Sequence, residues 1–207
     1  DTPYADIELE TTYDYNPDKA NQLLDEAGWV MNESTGIREK DGEPLNLLLT
    51  LEADHNAVSM PTAEVIKSQL AEVGIDVTIY GTEQMQWYAD YLEGKFDLTL
   101  WHCQFAFASP HCWFTPMDSM VPQTPSLPGI EGSDEFLATI KDLTNMVDEQ
   151  EVRDTYTYLF NFDVGTVLDI PLTYQKDMIV YNTDKISGYT FTGTPYFFDI
   201  LSLKPAE

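Results

Sequence analysis

Apolar positions along this chain recur at two periods, and glycine or proline marks most of the switches between them. Asn16-Pro17 offers an N-cap followed by proline at the first helical position. Ala20, Leu23, Leu24 and Ala27 then form a helical stripe that Gly28 stops. Residues 29–43 read as a loop or weak hairpin, with turns at Gly36 and Asp41-Gly42. Leu45–Leu51 is an apolar run of strand length whose Leu47-Leu48-Leu49 puts leucine on both faces, as in a sheet covered on both sides. A helix over about 59–73 follows, carrying Val65, Ile66, Leu70 and Val73 and stopped by Gly74. Ile75–Tyr80 alternates as a strand. A short helix over 83–93 presents Met85, Tyr88 and Leu92 and is closed by Gly94, and Phe96–Trp101 is a third strand.

The order from 44 to 103 is therefore β-α-β-α-β. It predicts an α/β fold with a mostly parallel sheet flanked by helices. Ligands of such sheets bind beyond the carboxyl ends of the strands, so 101–116 is the first place to look for a site. Residues 117–132 read as loop, rich in proline and glycine. Ser133 is placed to cap a helix with the stripe Phe136, Ile140, Leu143 and Val147, and a second helix carries Val152, Tyr156, Leu159 and Phe160. The tail from 170 has strand-like runs at Pro171–Tyr174 and Met178–Tyr181, and 187–201 reads as extended. The chain shows no internal repeat.

Charge removes several classes of partner. With 36 acids against 10 bases the formal charge is −26 over 207 residues, which repels nucleic-acid phosphates and anionic lipid. Arg38 and Arg153 are the only arginines, too few to clamp an anion with several guanidiniums. No run approaches the roughly 18–20 apolar residues of a membrane span. The first residues carry neither a basic nor an apolar signal segment, so no signal peptide is expected here.

Candidate chemistry is concentrated between Trp101 and Phe114, which holds two of the three histidines and both cysteines. His102-Cys103 and His111-Cys112 invite a metal reading, but adjacent strand residues point to opposite faces and the spacing matches no common zinc pattern. No metal site and no cofactor are predicted. Cys103 and Cys112 are near enough in sequence for a disulfide, which spacing alone does not establish. G-x-S-x-G, H-E-x-x-H and Walker motifs are absent, so no enzyme is read. The residues selected as ligand-contacting candidates are Trp101, His102, Gln104, Phe105 and Phe107, with Thr192 and Thr194 as secondary candidates.

Several landmarks carry a family resemblance. Tyr15–Ala20, Leu23-Leu24 and Ala27-Gly28-Trp29 resemble the Y-[DN]-P-x-K-A-x-x-L-L-x-x-A-G-W helix of the family 5 extracellular solute-binding proteins. Arg38–Leu45, Val73–Val77, Gly94–Leu98 and Asp169–Leu172 are similar to later landmarks of that family, in the same order. The resemblance implies one lobe of a periplasmic-binding-protein type 2 fold, with 1–207 as the C-terminal lobe and 176–207 returning toward a missing N-terminal lobe. It further implies a non-enzymatic, substrate-binding component of an ABC importer, partnered by a permease. Such proteins capture peptides or nickel and other metal chelates outside the cell or in the periplasm, and are held at the membrane, as lipoproteins, through a segment absent here. Thr2–Ala5, Ile37–Lys40 and Ser109-Pro110-His111 are similar to the nickel-binding subgroup. Gln104 and Ala108 stand where that subgroup carries Trp and Tyr, and Met120–Thr124 has no histidine, which argues against nickel itself. The reading from a different class is a cell-surface protein-interaction module.

Overall fold

In the computed structural model, which describes residues 4–54, 57–101, 110–118, 125–173, 178–191 and 199–206, the central pattern folds as its periodicity predicts. Pro17–Glu26 is α1, and Val30–Asn32, Ile37–Lys40 and Glu43–Pro44 are β1, β2 and β3. Asn46–Glu52 is β4, Ser59–Ala71 is α2, Asp76–Thr82 is β5, Gln84–Leu92 is α3 and Leu98–Leu100 is β6. The last three strands form a parallel sheet in the order β5-β4-β6. β4 is central, and from Leu49 onward it is buried on both faces: Leu49 and Leu51 on one, Thr50 and Glu52 on the other. Leu49 and Leu51 pack with Ala63 of α2 and Val77 of β5. Burial of one such leucine stabilises the fold by about 1.5–3 kcal/mol.

The expected weak hairpin is a three-stranded antiparallel meander, β1-β2-β3. Its anchor is Arg38, which is 3% exposed. Nε donates to Val73 O at 2.8 Å, Nη1 to Trp29 O at 2.6 Å and Asp25 Oδ1 at 2.5 Å, and Nη2 to Asn21 Oδ1 at 2.8 Å. One guanidinium thus joins α1, the turn after it, the meander and the turn after α2. The α1 stripe is not a core face: no residue of the helix is buried, and Leu23 is 52% exposed. Gly74 sits at φ +82°, and a Cβ there would stand 2.7 Å from Met31 Cε and 2.8 Å from Arg38 Cγ, so the position requires glycine.

A second apolar cluster is built by helices. His111–Phe114 is α4, Ser133–Leu143 is α5 and Glu149–Gly165 is α6. Phe114, Phe136, Ile140, Leu143, Tyr156 and Leu159 are buried together. Two side chains from the stretch read as loop join them, Met117 and Leu127, held in 3₁₀ turns at Thr115–Asp118 and Leu127–Gly129. The α5 stripe is one residue shorter than expected, because the helix ends at Leu143 and Val147 is 95% exposed. Gly132 at φ +86°, rather than Ser133, is the N-cap, and Ser133 is buried in the first turn.

The chain divides into two compact units, Asp1–Leu168 and Asp169–Glu207. In the second, Ile186–Gly188 (β7) pairs antiparallel with Lys204–Pro205 (β8), and Ile200–Ser202 is a 3₁₀ turn. The tail is therefore less β-like than its composition suggests. Described residues at 171–173 and 178–181 form no strand, and Met178 and Val180 are 91% and 98% exposed.

Candidate functional site

The carboxyl ends of the three parallel strands lie level. Glu52 of β4 is in register with Thr82 of β5, and Leu51 with Leu100 of β6. Trp101 follows directly from β6 and is 40% exposed. Beneath it is an aromatic shelf. Its ring centroid is 4.9 Å from Trp87 and 5.0 Å from Tyr91, and both of these are buried. Phe96 stacks on Tyr91 at 5.4 Å with an interplanar angle of 8°.

Two features of the sequence position this shelf. Glu83 caps α3 by accepting from the backbone N–H of Gln86 at 3.0 Å and Met85 at 3.3 Å, which fixes where the helix begins. Trp87 Nε1 then donates to Thr99 Oγ1 at 3.2 Å, and the Thr50 hydroxyl donates to the same oxygen at 3.0 Å. The helix therefore buries Trp87, Asp90 and Tyr91, not the Met85, Tyr88 and Leu92 stripe that apolar spacing suggests. Met85 is 69% exposed. Glu52 adds a carboxyl group, 4% exposed, at the end of the central strand. Sequence reading passed over it, because one acid among 36 carries no signal.

Of the residues selected from sequence, Trp101 stands at this edge with one side packed and the other open. His102, Gln104, Phe105, Phe107, Thr192 and Thr194 lie outside the described residues. The aromatic-rich segment divides in two, for Phe114 is fully buried and Trp113 Nε1 donates to Asp163 Oδ2 of α6 at 3.3 Å, both in the helical cluster. Cys112 is exposed with a free thiol, and Cys103 lies outside the described residues.

Elsewhere, a shallow and widely open depression of about 550 Å³ lies between α5 and α6. Glu135, Asp148, Glu151 and Asp154 line it with Met146 and Tyr158. Burial pushes the Tyr158 phenol above its ordinary pKa, and the Glu135 charge adds to the rise. Among the described residues no three His, Cys, Asp or Glu side chains come together to hold a metal ion. Both arginines are engaged in the scaffold. Arg38 is buried as described, and Arg153 Nη2 pairs with Asp6 Oδ2 at 2.8 Å, holding that carboxyl below its usual pKa. No helix among the described residues is long and apolar enough to cross a membrane.

Comparison with known proteins follows the same outline. Residues 1–124 match the family model described as bacterial extracellular solute-binding proteins, family 5 Middle. The chain is 28% identical over 181 residues to the nickel-binding periplasmic protein of Escherichia coli (strain K12), covering 86% of this chain and 34% of that protein. It is 43% identical over 70 residues to the oligopeptide-binding protein OppA of Lactococcus lactis subsp. cremoris (strain SK11), covering 33% of this chain and 11% of that protein. Among solved structures, NikA from Brucella suis in complex with Fe(III)-EDTA superposes with a TM-score of 0.87 at 29% identity, over 98% of this chain and 40% of that one. The chain thus spans about a third of the length of the Escherichia coli relative.

Proposed function

This chain belongs to the bacterial extracellular solute-binding proteins of family 5, and from that membership we propose that it forms one wall of a solute-capturing cleft. The whole protein would be the substrate-binding component of an ABC importer. It delivers a small solute, a peptide or a metal chelate, to a membrane permease. Relatives that bind nickel and oligopeptides bound the class of solute. On this reading the protein captures and releases without turnover. It acts outside the cytoplasm, tethered to the membrane, and the opposite wall comes from sequence N-terminal to this lobe.

The observation that carries this reading is Trp101, half open at the carboxyl end of the β5-β4-β6 sheet and backed by Trp87 and Tyr91. A large apolar ring on a buried aromatic base presents contact area at low entropic cost, as binding hot spots require. The edge suits a ligand because strand ends in parallel sheets leave a crevice that loops can line. Closure follows from the energetics: a solute touching both walls only in the closed state shifts the hinge equilibrium toward it. His102, Gln104, Phe105 and Phe107 continue the chain from Trp101 and are proposed as the rest of the wall, with Thr192 and Thr194 as secondary contacts.

Trp101→Ala in the longer protein tests this. Calorimetric affinity for the solute that co-purifies with the wild type should fall at least about tenfold. The melting temperature should drop by only about 2–4 °C, the loss of one partly exposed ring. Unchanged affinity would remove Trp101 from the wall.

A further inference from the structure

Ten bases can neutralise at most ten of the 36 carboxylates, so no arrangement of side chains brings this surface near neutrality. Ion pairs among the described residues remove little of the excess there. Arg38 pairs with Asp25, Arg153 with Asp6, and Lys95 is shared between Asp90 and Glu93. Acids also gather on the exposed surface of α5 and α6. Glu135 on α5 and Glu151 and Asp154 on α6 face the same groove with Asp148, and no lysine or arginine lines it. Asp142 stands at the C-terminal end of α5, where the helix dipole already disfavours a negative charge. The apolar core that opposes this repulsion is divided between two separate clusters.

Packed helices lie about 8–10 Å apart, close to the Debye length of about 10 Å at 0.1 M salt. At that ionic strength the repulsion between carboxylates of neighbouring elements is only partly screened, and unfolding relieves it by letting the charges separate. At 1 M the Debye length is about 3 Å, shorter than most of these separations. We propose that the fold is built for a saline medium: its acidic surface takes its counter-charge from dissolved monovalent cations, without a discrete site, and most of its stability is lost in dilute buffer. The medium thus acts as a partner.

Thermal unfolding of this chain, followed by circular dichroism at neutral pH from about 0.1 to about 2 M KCl, is the test. The melting temperature should rise by at least about 15 °C, and a chain already unfolded at the low end is the same result. A rise under about 3 °C overturns the proposal. A second measurement separates charge from the general salting-out of apolar groups. Glu64→Gln, Asp142→Asn and Asp154→Asn combined remove three exposed charges on α2, α5 and α6 with little change of shape. The triple variant should melt about 3–6 °C above wild type at 0.1 M and within about 1 °C of it at 2 M. An equal shift at both concentrations, or a lower melting temperature at 0.1 M, contradicts the proposal.

Discussion

Replacing Arg38 with methionine is expected to lower the unfolding free energy by about 3 kcal/mol. The ion pair with Asp25 is not the reason, since that carboxylate's side chain is 67% exposed and an exposed partner contributes little. The cost comes from Val73 O and Trp29 O, two backbone carbonyls that lose a charged donor at 2.8 and 2.6 Å. Methionine fills part of the volume and satisfies neither. Lysine restores one bond at most, because it lacks the planar fork whose separate Nε and Nη1 reach the two carbonyls, so Arg38→Lys should recover less than half of the loss. Equilibrium denaturation in urea reads both variants. A loss below about 1 kcal/mol for Arg38→Met would mean the guanidinium does not hold these segments together.

The other large effect is expected at Phe114. It has no exposed surface, and its ring lies 6.0 Å from Phe136 edge-on, 5.5 Å from Phe160 and 6.5 Å from Tyr156. Phe114→Ala should destabilise by about 3–5 kcal/mol, combining lost transfer energy with a cavity that rigid neighbouring rings cannot close. Phe114→Leu keeps most of the volume and should cost under half as much. The pair is informative because Phe114 comes from the same segment as the proposed cleft wall. A destabilised Phe114→Ala that leaves solute affinity intact under folding conditions separates the core part of that segment from its binding part. Denaturation midpoints and calorimetry on the same variants supply the two readings.

The parallel sheet was legible because its signals are local and repeated. Asn16-Pro17 capped a helix as read, with Asn16 Oδ1 accepting from Lys19 N at 2.9 Å, and Gly28, Gly74 and Gly94 all sit at positive φ where helices stop. The doubly buried β4 showed itself by leucine on both faces. What escaped depends on partners distant in sequence. Nothing local to Arg38 marks it as buried, because its partners Val73 O and Trp29 O are brought beside it only by the fold. Met117 and Leu127 lie in a stretch without periodicity, so nothing local marks them as core. The reverse error occurs in the tail, where apolar residues at 178–181 suggest a strand but Met178 and Val180 stay exposed. Alternation describes what a strand would bury, and only a neighbouring strand makes it one.

Of the candidate site, the sequence indicated a place in the fold rather than its surroundings. Strand order pointed to the sheet's carboxyl edge, and Trp101 is there. The shelf beneath it was not foreseen, because helical spacing favoured Met85, Tyr88 and Leu92. The Trp87–Thr99 hydrogen bond and the packing against Trp101 turn the other face inward. Glu52 and the acidic groove of α5 and α6 drew no notice among so many acids, although together they express the property that composition announces most loudly.

The account turns on this chain being one wall of a cleft that needs two. An isolated wall forfeits half the contacts and most of the preorganisation, so its affinity should collapse rather than halve. Calorimetric titration of this chain alone, beside the longer protein and with the solute that co-purifies with it, measures this directly. The expected result is binding at least about a hundredfold weaker for the chain alone, or none. A submicromolar constant for this chain by itself would contradict the account.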